Sequence, residues 1–174
     1  MVIKLILIKM KQTTSTQKGV LTGMMMIIAA LFSLYILKNP VDSYFQYIIY
    51  GIFCFGVVFS MVAYYRTEND KRSFANFFSV GFKTFVVVSL LMAAFAFVYF
   101  SYNTAFRDKQ IAENSRLLTL QGNHLPQEIK EQETLQKKMF LTMMISINIF
   151  RYLILGALIT AIAAGFLSKK NTME

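Results

Sequence analysis

The sequence predicts an all-α integral membrane protein: a bundle of four transmembrane helices with an outer helical hairpin between the third and fourth spans. Three observations carry the prediction. The 174-residue chain is 56% hydrophobic and 16% charged. A domain of this size buries only roughly 70% of its unfolded surface, so that much apolar surface calls for lipid as the solvent. Long runs without charge recur along the chain. None of them alternates polar and apolar residues as a membrane β-barrel requires, so backbone groups in lipid must be satisfied within each segment, which leaves helices.

The elements follow in order, as one membrane domain over residues 1–174. MVIKLILIKMK precedes the polar run QTTSTQK. It reads either as a short interfacial anchor, with Val, Ile and Leu at the acyl boundary and Lys at headgroups, or as residues upstream of a start at Met10. Residues 20–37 form the first span, flanked by Lys18 and Lys38, a retained signal anchor rather than a cleaved signal peptide. The second span covers 44–65, the third 79–102 and the fourth 145–167. Each meets the length of about 20 apolar residues that a ~30 Å hydrocarbon core requires.

Between the second and third spans, RTENDKR is a solvated turn. From Ser73, a natural N-cap, the pattern becomes helical, with Phe74, Phe77, Phe78, Phe82 and Phe85 on one face. This segment is expected to enter as an amphipathic elbow at the membrane surface and continue into the third span. Residues 103–138 form the extramembrane helical loop. Its first helix is expected over Arg107 to Leu120 and ends near Gly122, a favoured C-terminal residue; Pro126 suits the first turn of the second.

The segment SFANFFSVGF resembles the signature, approximately S-F-G-x-A-F-x-x-G-F, of the domain of unknown function 4199 family, membrane proteins found mainly in Bacteroidetes bacteria. Ser73, Phe74, Phe78, Gly81 and Phe82 match it, while Ala75 and Phe77 replace the usual Gly and small residue. LQGNHLPQEIKEQETLQKKM is similar to that family's third loop, and span order and loop lengths agree over essentially the whole chain. The resemblance implies a four-helix inner-membrane protein and supplies no activity.

Charge sets the expected orientation. The N-terminus, second loop and C-terminus share one side, which carries ten cations (Lys4, Lys9, Lys11, Lys18, Arg66, Lys71, Arg72, Lys83, Lys169, Lys170) and three acids (Glu68, Asp70, Glu174). By the positive-inside rule both termini are expected in the cytoplasm. The net charge of +9 points to anionic headgroups and not to nucleic acid, since no basic helix or Cys/His ligand spacing accompanies it.

Arg151 interrupts the fourth span, a functional position by default. Taking Lys169 as the cytoplasmic boundary, a rise of 1.5 Å per residue puts Arg151 near the outer boundary, where its side chain can snorkel. Tyr35, Tyr44, Tyr47, Tyr99, Tyr102 and Tyr152 fall at outer span ends and supply an aromatic belt in a chain without Trp. With Gln46 and Asn148 they suggest a lipid or anion site made of Arg151, Asn148, Gln46, Tyr44, Tyr47, Tyr99 and Tyr102; the alternative is an ordinary belt with one snorkelling arginine. Ala157, Ala161 and Gly165, beside Gly156, Thr160 and Ala164, let helices pack closely and read as the bundle seam.

No Asp or Glu lies within a span, and the chain has no Ser/His/Asp set, H-E-x-x-H or P-loop. One His and one Cys are poor material for metal or hydrolytic chemistry, so neither enzyme activity nor a cofactor is expected. The first reading is a non-enzymatic accessory or scaffold protein of the cytoplasmic (inner) membrane that engages a membrane protein partner, a second copy or lipids. The second is a small transporter or oligomeric channel using Arg151 and the tyrosines.

Overall fold

A computed structural model describes residues 14–36, 43–67, 73–122 and 125–172; the segment before Thr14, most of RTENDKR and His124 lie outside them. Among the described residues five helices run in order: α1 (Ser15–Ile36), α2 (Ser43–Tyr65), α3 (Phe74–Tyr102), α4 (Thr104–Gln121) and α5 (Pro126–Thr172). Among the described residues there is no strand. Stretches long and apolar enough to cross a membrane lie at Ser15–Tyr35, Gln46–Tyr65, Phe74–Tyr102 and Pro126–Lys169, which makes the chain an all-α, multi-pass membrane protein.

Local chemistry fixes where helices begin. At α1, Gln17 Oε1 accepts from the Thr14 amide at 3.0 Å and Thr14 Oγ1 accepts from the Gln17 amide at 3.3 Å. This reciprocal capping box satisfies two amides that a helix start otherwise leaves open. It starts the helix before Val20 and brings Lys18 inside it, where the sequence alone makes Lys18 the flank of the span. Ser73 Oγ caps α3 through the Asn76 amide at 3.3 Å. Asn103 Oδ1 caps α4 through the Phe106 amide at 3.2 Å.

The C-terminus of α4 is closed by Gly122, whose φ of 68° is left-handed and whose amide donates to the Thr119 carbonyl. A side chain there would be strained by its own Cβ. Glu128 then reaches back to the Leu125 amide at 3.1 Å, and Pro126 opens α5. The second arm of the hairpin continues into the fourth span as one 47-residue helix, because nothing between Glu128 and Leu167 breaks the chain with Pro or Gly except Gly156 and Gly165.

The chain divides into two compact units. The first holds the described parts of Met1–Met92 and Ile149–Glu174. Its interior is built from Met26, Phe53, Val57, Met61, Phe77, Phe85 and Val88, all nearly or fully buried. Small residues let its helices meet. A Cβ at Gly19 would lie 2.8 Å from the Thr84 carbonyl oxygen, one at Gly81 would lie 2.5 Å from Thr160 Cγ2, and one at Gly56 would collide with the Thr22 side chain. In lipid, where apolar burial does not drive helices together, such close backbone approach supplies the packing energy.

The seam on α5 runs one residue away from the Ala157, Ala161, Gly165 row. Tyr152, Gly156, Thr160 and Ala164 are buried at intervals of four, while Ala161 is exposed and a Cβ at Gly165 meets nothing within 4 Å. Both rows are small enough to pack. The partners decide between them, since Phe85 fits over Gly156, at 2.5 Å from a Cβ placed there, and Gly81 over Thr160.

The second unit, Ala93–Asn148, centres on three rings. Phe100, Phe106 and Phe140 have centroids 5.6, 5.9 and 6.5 Å apart. Ile111 is the residue that α4 buries.

Candidate functional site

The residues expected to form an outer polar ring are placed as follows. In the first unit Arg151 is exposed, Tyr47 is 70% exposed and Gln46 Nε2 donates to the Tyr50 hydroxyl at 3.3 Å. Tyr44 lies in the first turn of α2 and its side chain falls outside the described residues. In the second unit Tyr102 is exposed, the Tyr99 hydroxyl accepts from Asn103 Nδ2 at 2.8 Å, and Asn148 Nδ2 donates to the Met144 carbonyl at 2.9 Å. The amide donors of Gln46 and Asn148 are thus engaged within their own helices.

Tyr152 is not a belt residue. It is 5% exposed and packs on Phe53 and Tyr50, with centroids 5.4 and 6.3 Å away. The reason is helical phase: residue 152 shares the inward row with Gly156 and Thr160, whereas Arg151 is turned about 100° from it. Tyr35, by contrast, is exposed as a belt residue should be.

The signature segment divides its labour. Ser73 caps α3. Phe74, Phe78 and Phe82 form a stacked ladder with centroids 6.0 and 6.3 Å apart, and Phe74 and Phe82 are about half exposed. Phe77 and Phe85 turn inward instead, Phe77 fully buried against Tyr64 at 5.8 Å and Tyr65 at 6.1 Å. The single aromatic face expected from spacing is therefore divided between buried and part-exposed rings. Gly81 is one of the points at which α3 meets α5.

Sequence reading missed two features of the first unit. One is a set of buried hydroxyls. Thr84 Oγ1 lies 2.8 Å from Ser60 Oγ and 2.9 Å from the Val80 carbonyl, while Thr160 Oγ1, fully buried, has no hydrogen-bond partner. The other is a groove of about 450 Å³ between α1 and α2, with Lys18, Leu21 and Met25 on one wall and Ile48, Gly51 and Phe55 on the other. Lys18 is 6% exposed. The only signal for this in the sequence is the T-x-x-Q cap that draws Lys18 into the helix. Among the described residues no group of three His, Cys, Asp or Glu is placed to hold a metal ion.

Helices of this length and apolarity, crossing at glycines and with no described strand, define a small multi-pass helical membrane protein. Within that class the chain belongs to the family described as Protein of unknown function (DUF4199), whose model matches residues 17–169. No curated protein and no solved structure matches the chain.

Proposed function

We propose that the protein is a non-enzymatic accessory or scaffold protein of the cytoplasmic (inner) membrane of Bacteroidetes bacteria, with both termini in the cytoplasm, that offers its hairpin unit to a membrane protein partner. One observation carries this reading. Over 18 residues α4 buries only Ile111, yet Leu117 is 47% and Leu120 71% exposed. A helix draws most of its stability from packing apolar side chains, and this one leaves two leucines near its C-terminal end uncovered. Leu125 and Leu135 are exposed as well. The +9 net charge adds attraction to anionic headgroups.

The test is copurification of the tagged full chain from native membranes in mild detergent, beside the Leu117→Ser/Leu120→Ser double variant. A stoichiometric partner that the double variant loses supports the reading. Recovery of the chain without a protein partner refutes it. Solute or ion flux across liposomes containing this chain alone would establish the transport reading instead.

A further inference from the structure

We propose that the groove between α1 and α2 holds one anionic phospholipid, its phosphate paired with Lys18 and an acyl chain laid along the apolar walls. Lys18 is the fourth residue of α1 and is only 6% exposed. Its ammonium has no hydrogen-bond or ion-pair partner among the described residues. Those of the first unit, moreover, include no Asp or Glu at all. An ammonium at the mouth of an apolar groove is stabilised by an anion beside it. A bound anionic ligand would supply the charge that the described residues of the first unit lack.

The rest of the groove says which ligand. Thr22, the other polar residue on the α1 wall, donates its hydroxyl to the Lys18 carbonyl at 2.9 Å, so Lys18 supplies the charge. Leu21, Met25, Ile48 and Phe55 offer hydrocarbon, and Met25 and Phe55 remain 53% and 72% exposed, which leaves the groove open to the bilayer along its flank. The volume of about 450 Å³ is within the range of small-molecule sites. Gly51 contributes to that room, because its missing side chain leaves a space in which a Cβ would meet nothing within 4 Å. One cation at the end of the span where headgroups sit, continued by an apolar channel, matches an anionic head followed by a chain. A soluble anion would leave the channel unfilled.

The experiment uses the full chain reconstituted in mixed micelles and native mass spectrometry. The probes are phosphatidylglycerol and phosphatidylcholine with identical acyl chains, added one at a time. Wild type should retain one phosphatidylglycerol at least about tenfold better than phosphatidylcholine, as expected when one charge-assisted contact distinguishes them. Lys18→Met, which keeps the stem and removes the charge, should bring the two lipids level, and Lys18→Arg should restore the preference. Gly51→Leu should displace both lipids while helicity and the unfolding midpoint stay at wild-type values, since the added side chain enters open space. Equal retention of the two lipids by wild type, an undiminished preference in Lys18→Met, or phosphatidylglycerol retained by Gly51→Leu would each overturn the proposal. The partner reading does not enter this test.

Discussion

Gly81→Ala and Gly165→Ala are the same chemical change, and the structure gives them opposite signs. At Gly81 the new Cβ lies 2.5 Å from Thr160 Cγ2, 2.8 Å from its Oγ1 and 3.0 Å from Met61 Sδ; at Gly165 it meets nothing within 4 Å. Alanine is favoured over glycine inside a helix by about 1 kcal/mol, and Gly165→Ala should show that gain. At Gly81 the same gain is opposed by overpacking, which costs roughly 1–3 kcal/mol. Thr160 is β-branched and stiff at χ1, so it yields little, and the expected net loss is up to about 2 kcal/mol. The assay is reversible unfolding of the full chain in mixed micelles, followed by helicity. Thr160→Ala completes a double-mutant cycle: it removes both nearest atoms, one of them a buried hydroxyl oxygen that has no partner. In the double variant the methyl group added at position 81 occupies the vacated space, and the coupling should be about 1–3 kcal/mol in the favourable direction. Equal stabilisation by Gly81→Ala and Gly165→Ala, or strict additivity in the cycle, would refute the close crossing of α3 and α5.

Gly122→Ala forces a left-handed residue to carry a Cβ and should cost about 1–2 kcal/mol, read as faster proteolysis at the turn of the hairpin. Thr14→Ala removes the capping oxygen of α1 and should cost about 1 kcal/mol, seen as faster amide exchange in the first turn. Phe77→Ala empties a fully buried ring site and should destabilise the chain by about 3–5 kcal/mol in the same unfolding assay. Arg151→Ala, at an exposed position, should change stability by no more than about 0.5 kcal/mol; a loss of copurifying anionic lipid in that variant would assign the arginine a ligand.

The spans are legible in the sequence because a run of some twenty uncharged apolar residues has few other uses, and the hairpin turn because Gly122 and Pro126 act through their own backbones. What depends on phase is less legible. A shift of one residue turns a side chain by about 100°, and the rows 156, 160, 164 and 157, 161, 165 are both small. Only the partners across the crossing, Gly81 and Phe85, choose between them. Tyr152 is ambiguous for the same reason, because its residue type suits either an interface or a core. The charge of Lys18 suggests a boundary, whereas the Thr14–Gln17 cap sets it. The aromatic elbow reads as one face by spacing, yet Phe77 and Phe85 are buried while Phe74 and Phe82 stay half exposed; what packs along α3, and not the spacing, divides them.

The glycine–threonine crossings also give the bundle a direction in which it can drift. Where Gly56 faces Thr22 and Gly81 faces Thr160, the glycine cannot enlarge while the threonine stands. A lineage must first shorten the threonine and only then add a methyl across from it, since the reverse order passes through a collision. When sequences of this family are compared, glycine should be found facing either threonine or a shorter residue, and a larger residue at the glycine position only where the threonine has been shortened. Gly19 has no such route. It faces the main-chain oxygen of Thr84, which no substitution of that side chain removes, so it should outlast both pairs.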